Sequence, residues 1–382
     1  MIPRTLLLVS QLIGCRSSDP SDQTDPTSNQ TDATDTDATD TGPELGSNDA
    51  YDDVIMATAE GAQWMVAQGD GTWALGTFRA DLGLGDADLA AADLDGDGWT
   101  DLVVTSDVGS EVWMSDGGGG FAQALFDPAL GRGVVGFTPA DVDGDGAMEL
   151  WVRHAGGLER WSWVDGDLFR EPVELDGLDD PAHVVLTVGD FDGDGRDDLL
   201  ASSATATAHW FMLDGTPTAV TTTPDTLLAD HVPFDMDGDG ADELLVVDGE
   251  GTHWLSFGTT GWSDFAPVRA DLPAGEVAYT VADVDGDGDE DLLISTLRAV
   301  SLYRSSGDGT FDASRIDTHV LGDIAYTPLD FDGNGTTDVL ATTDEHTRLL
   351  AADATGALLE VGALSASLGN ATFTVGRFGR AR

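Results

Sequence analysis

The chain has 382 residues, and 71 Asp and Glu stand against 16 Lys plus Arg, a formal charge of −55. All 16 cations are Arg, and so large an acid excess argues against a nucleic-acid partner, because phosphate neutralisation needs a basic surface. One Cys excludes a disulfide framework or a Cys-rich metal module within the chain, while 41% hydrophobic residues are enough to build a core.

Residues 1–14 have the form of an export signal: Arg4 supplies a positive start and Leu6-Leu7-Leu8-Val9 opens an apolar stretch too short to span a bilayer. The stretch ends at Leu12-Ile13-Gly14-Cys15, which resembles the lipobox of bacterial lipoproteins. That resemblance implies lipidation of Cys15, with the membrane as a partner through the anchor. The alternative is an ordinary secretory signal with a chance Cys. Arg16, not Asp, follows the Cys, so the resemblance points to the outer membrane or cell surface. Residues 15–44 are a low-complexity Asp/Thr/Ser-rich run that cannot bury enough surface to offset its ordering entropy, and they are predicted to be a disordered tether. No other stretch is long and apolar enough to predict a transmembrane helix.

From residue 45 to the end the sequence repeats. A ten-residue pattern, first seen as Asp93-Leu-Asp95-Gly-Asp97-Gly-Trp-Thr-Asp101-Leu102, recurs from Asp141, Asp190, Asp235, Asp283 and Asp330, at spacings of 48, 49, 45, 48 and 47 residues. Each copy lies between short aliphatic and β-branched runs, such as Val277–Ala282 before it and Leu292-Leu293-Ile294 after it, which predict strands. A third predicted strand carries Trp64, Trp113, Trp161, Trp210, Trp254 or Tyr303. Recurrence of that aromatic at one repeat position favours packing between sheets over carbohydrate stacking. A Gly/Asp turn and a fourth, weaker strand complete the period. Four strands in about 48 residues is the size of one propeller blade.

The Asp-x-Asp-Gly-Asp-Gly-x-x-Asp-Leu core, with turns such as Gly307-Asp308-Gly309-Thr310-Phe311, resembles the FG-GAP/VCBS repeats of integrin α-like propellers over residues 45–382. The expected fold is all-β, a seven-bladed β-propeller of four-stranded blades. Strands count to seven sets although full motifs count to six. Thr372–Phe378 copies the approach to a motif, so it is predicted to return as the inner strand of the blade begun at Val54, closing the ring with a composite blade.

Positions 1, 3, 5 and 9 of each motif carry side-chain oxygens: Asp93, Asp95, Asp97 and Asp101; Asp141, Asp143, Asp145 and Glu149; Asp190, Asp192, Asp194 and Asp198. The next three loops have Asp235, Asp237, Asp239 and Glu243; Asp283, Asp285, Asp287 and Asp291; and Asp330, Asp332, Asn334 and Asp338. Carboxylates this dense repel unless a cation lies among them. Glycines at positions 4 and 6 let the backbone curl, and hard oxygen donors without His or Cys suit calcium. Family resemblance adds the carbonyl at position 7, on Trp99, Ala147, Arg196, Ala241, Asp289 or Thr336. A metal-free Asp-rich hairpin is the competing reading, strongest for the sixth loop, where Asn334 replaces an acid. The composite blade has Asp49 and Asp53 at positions 5 and 9 but Arg377 at position 1, so it is expected to bind no calcium, with Arg377 facing Asp49 or Asp53.

The seven His are scattered, and no nucleophile elbow, P-loop or nucleotide fingerprint stands out. The sequence therefore favours a non-enzymatic, calcium-stabilised propeller on a lipid anchor. Its expected role is adhesion or recognition of an extracellular protein or glycan. A polysaccharide lyase-like enzyme and a scaffold subunit of an envelope complex are the alternatives.

Overall fold

The computed structural model describes residues 51–58, 61–68, 72–79, 87–118, 120–131, 135–173, 185–202, 207–213, 216–219, 230–247, 252–258, 261–264, 277–296, 299–316, 325–342, 347–353, 355–365 and 373–378. The predicted signal segment, Cys15, the tether and Asp49 lie outside the described residues. Among the described residues the regular structure is all strand: 28 strands form seven four-stranded antiparallel sheets. Blade one is composite. Blades two to seven run consecutively over residues 87–127, 135–173, 185–219, 230–264, 277–316 and 325–365. The outermost strand of blade one, Trp73–Arg79, pairs with Gly61–Ala67, which pairs with Asp53–Thr58, and the inner strand is Phe373–Gly376 from the far end of the chain. The register is Asp53 opposite Gly376 and Val54 opposite Val375, as the copy of the motif approach predicts.

The second strand of each blade begins on the acid at position 9, as in Asp101–Ser106, Asp198–Ser202 and Asp338–Thr342. These strands are buried on both faces, which is why they read as unbroken apolar runs instead of alternating ones. Alternation shows in the packing. Leu102 and Val104 join Ile55, Trp64 and Phe378 between blades one and two, while Val103 joins Leu150 and Trp161 between blades two and three. Five further clusters fill the other junctions, so no core lies within a single sheet. The repeat aromatics belong to these junctions, with Trp161 1%, Trp210 2% and Trp254 3% exposed. Each fully buried side chain of this size contributes roughly 1.5–3 kcal/mol, and a sheet gains that only when its neighbour is present. Closing the ring with residues 373–378 thus covers apolar faces of blades one, two and seven together.

Candidate metal loops and the junctions between them

The six loops share one hydrogen-bond plan. The acid at position 1 organises the turn: Asp93 Oδ1 accepts from the Gly96 and Asp97 amides at 2.9 and 3.2 Å, and its Oδ2 accepts from the Gly98 amide at 2.8 Å. Asp141, Asp190 and Asp235 repeat all three bonds; Asp283 and Asp330 repeat those from the two glycines. Gly96 and Gly98 take φ of 71° and 86°, a left-handed pair that explains the two obligatory glycines. The side chain at position 5 then accepts from the amide at position 7, as Asp97 does from Trp99 at 2.9 Å.

Position 9 is built differently. Asp101 is 1% exposed; its Oδ2 accepts from the Leu94 amide at 2.9 Å and its Oδ1 from the Ser115 amide on the third strand at 2.8 Å. Asp198, Asp291 and Asp338 make the same two bonds, while Glu149 and Glu243 make the bond to position 2. Burial drives these acids up, to about 7 for Asp101, Glu149, Asp291 and Asp338 and about 8 for Asp198 and Glu243. At position 3, burial and then the neighbouring carboxylates raise Asp95, Asp143, Asp192, Asp237 and Asp285.

In five loops three of the predicted side-chain ligands come together, positions 1 and 3 with either position 5 or position 9. One oxygen from each of Asp93, Asp95 and Asp101 lies within 4.8 Å of the others, and so do Asp141, Asp143 and Glu149; Asp190, Asp192 and Asp194; Asp235, Asp237 and Asp239; and Asp283, Asp285 and Asp291. Oδ1 of Asp237 and Oδ1 of Asp285 are buried with no hydrogen-bond partner. An unpartnered carboxylate oxygen among other acids fits a hard cation, and the donor set, all oxygen, fits calcium in particular. In the sixth loop Asn334 Oδ1 accepts from both the amide (2.7 Å) and the hydroxyl of Thr336, so the substituted position is engaged within the loop.

Sequence reasoning missed position 8. Its amide donates to the position 1 carbonyl of the preceding blade: Asp52 to Asp330 (2.8 Å), Thr100 to Arg377 (2.8 Å), Met148 to Asp93 (2.7 Å), Asp197 to Asp141 (2.9 Å), Asp242 to Asp190 (2.6 Å) and Thr337 to Asp283 (2.8 Å). At four junctions the side chain answers. Asp197 Oδ2 accepts from the Asp141 amide at 2.7 Å, Asp242 Oδ2 from Asp190 at 2.9 Å, Asp52 Oδ2 from Asp330 at 2.8 Å, and Thr100 Oγ1 from Arg377 at 2.9 Å. Position 7 also reaches across: a methyl group built on Gly96 would lie 3.3 Å from Ala147 Cβ, on Gly144 3.2 Å from Arg196 Cγ, and on Gly286 3.0 Å from Thr336 Cγ2. Trp99 packs its indole over Gly117 in its own blade and is half-buried.

The composite blade corrects one expectation. Arg377 does not face Asp53. Its Nε lies 3.8 Å from Asp52 Oδ1, while the Asp53 carboxylate is buried and accepts from the Ala67 amide at 3.0 Å and from Trp64 Nε1 at 3.2 Å. Asp53 is an internal strut of the blade, and the Arg cation sits beside the junction acid instead.

A ring of repeat blades with an acidic turn at the end of six of its seven inner strands defines the class: a β-propeller of Asp-rich repeats. The FG-GAP-like repeat model matches residues 47–104, 93–152, 235–294 and 283–341, more than half of the chain, and the protein belongs to that family. The Asp190 loop falls outside the matched stretches yet has the same hydrogen bonds. Among solved structures, the chain is similar to an Agrocybe aegerita lectin that recognises non-reducing terminal N-acetylglucosamine. That pair shares 16% identity over 85% of this chain and 95% of the lectin, with a TM-score of 0.67. A Lactobacillus plantarum protein is similar at 14% identity over 85% of this chain and 99% of that one, with a TM-score of 0.53. A functionally unknown Desulfotomaculum acetoxidans protein is similar at 13% identity, covering 85% and 98%, with a TM-score of 0.50. At these identities the likeness is one of fold. No curated protein sequence matches significantly.

Proposed function

We propose that the protein is a calcium-stabilised recognition propeller, displayed outside the cytoplasm on a lipid anchor at Cys15 and binding an extracellular protein or glycan. The observation that carries the calcium part is the repeated convergence of carboxylate oxygens in the loops, with unpartnered buried oxygens on Asp237 and Asp285. Positions 1, 3 and 5 would hold the ion together with position 9, and bound calcium would supply the positive charge that these acids otherwise lack. The chain's own part is to hold the acids in place: position 1 through the glycine amides, position 9 through position 2 and the third strand.

Recognition, and not catalysis, is supported by the absence of a catalytic motif from the sequence and by nearly equal repeat lengths, which leave little room for inserted active-site loops. The lectin of the same fold points to a terminal sugar as one ligand class. Glycan-array and pull-down screening of the full chain in calcium tests this reading. Calcium-dependent retention of a glycan or an extracellular protein is the expected result; depolymerisation of a polysaccharide would replace recognition with catalysis. Membrane partitioning that is lost in Cys15→Ala tests the anchor.

A further inference from the structure

We propose that position 8 serves the position 1 residue of the preceding blade, so that Asp197, Asp242 and Asp52 are positioning residues for calcium at the Asp141, Asp190 and Asp330 loops and couple neighbouring sites around the ring. The inference rests on the calcium reading above and concerns this chain's own residues.

Position 1 is the residue on which each loop is hung. Its two carboxylate oxygens are committed to amides within the turn, so the direction of its side chain depends on where its backbone is held. That backbone is held from the next blade. For Asp141 the carbonyl takes the Asp197 amide at 2.9 Å, and the amide gives its proton to Asp197 Oδ2 at 2.7 Å. Asp190 is held the same way by Asp242, and Asp330 by Asp52. Asp197 follows the Asp190 turn by one residue and precedes Asp198, so the segment that shapes one candidate site also fixes the neighbouring one. Position 7 adds contact in the same direction, with the Arg196 stem against Gly144. Blade one, which lacks acids at position 1, still clamps the Asp330 loop through Asp52, and Arg377 lies beside that carboxylate. Because losing an outer-shell partner that orients a metal ligand commonly changes affinity by roughly 10- to 100-fold, loss of the clamp should be visible. Because coupling free energies are reciprocal, loading either of two adjacent loops should favour the other.

The test is a cycle of calcium titrations by calorimetry on the full chain. Asp197→Ala is expected to weaken one site by roughly ten-fold, and Asp197→Asn, which keeps an acceptor oxygen, to restore most of it. In a background where the Asp141 loop is disabled (Asp143→Asn with Asp145→Asn) the Asp197→Ala effect should vanish. Where the Asp190 loop is disabled (Asp192→Asn with Asp194→Asn) it should persist. The reverse pattern would overturn the inference and make Asp197 a part of its own loop only. If Asp197→Ala does not fold, Asp242→Ala in backgrounds lacking the Asp190 or the Asp235 loop decides the question by the same criterion. Absence of calcium heat in the unaltered protein would overturn the calcium reading and this inference with it, whereas calcium binding with no cycle effect would overturn this inference alone.

Discussion

Blades one and two pair their strands alike and differ at the end of the inner strand. Blade two ends at Asp93, which collects three amides and starts a turn of acids; blade one ends at Arg377, with Phe378 following. Yet three features survive the loss of the acid loop. Phe378 is fully buried like Leu94 at the same position. Asp53 accepts from the third-strand amide of Ala67, as Asp101 does from Ser115. Thr100 clamps Arg377 as the later position 8 residues clamp an Asp. Where Asp101 accepts from the loop amide of Leu94, Asp53 accepts from the Trp64 indole instead. The acid at position 9 is therefore first an element of the blade and the backbone of position 1 an element of the junction, whereas the carboxylates of positions 1, 3 and 5 belong to the loop.

This division can be broken in several ways. Removing calcium should have the largest effect: at ten times Kd each site adds on the order of 1.4 kcal/mol, so chelation should lower Tm steeply, and an unchanged melting curve would sink the calcium account. Asp53→Ala and Asp101→Ala should come next. Each leaves buried N–H donors unsatisfied, a cost of about 2–4 kcal/mol, and calorimetry should find Asp53→Ala equally costly with and without chelator while Asp101→Ala costs more in calcium.

A smaller effect is expected from pH in the metal-free ring. The position 9 acids and Asp53 have their pKa raised by burial, to about 7 or about 8, above the usual carboxylate range. Their protonated forms therefore favour the folded state; that contribution is complete at pH below the ordinary carboxylate value and is lost as pH rises through about 7–8. Melting in chelator should drop over that window, and calcium, which favours the ionised acids of the loops, should flatten the slope. The smallest effect is expected for Arg377→Ala. Its side chain is 53% exposed and pairs with Asp52 at 3.8 Å, so thermal unfolding should shift by no more than about 1 kcal/mol, with no change in calcium stoichiometry.

Much of this was legible in the sequence because the repeat constrains it. The motif spacing located each inner and second strand to within about a residue, and the likeness of Thr374-Val375-Gly376 to Thr187-Val188-Gly189 identified the composite blade. The acids of the loops followed from their constant identities. Position 8 escaped notice because it varies through Asp52, Thr100, Met148, Asp197, Asp242 and Thr337, and what these share is a backbone amide bond, which leaves no mark in composition. The partner of Arg377 was misassigned because the motif alignment offers positions 5 and 9, whereas the chain folds Asp53 inward and leaves Asp52 at the junction. The −55 charge divides on the same basis. Six bound divalent ions would bring the loaded chain to about −43, and the rest of the acid excess has no counterpart in these loops.

The most direct measurement is a calorimetric calcium titration of the unaltered protein beside Asn334→Asp. The account predicts six sites, with Asn334→Asp tightening the one at the Asp330 loop, and none in blade one. Seven equivalent sites would contradict it, and so would no binding at all.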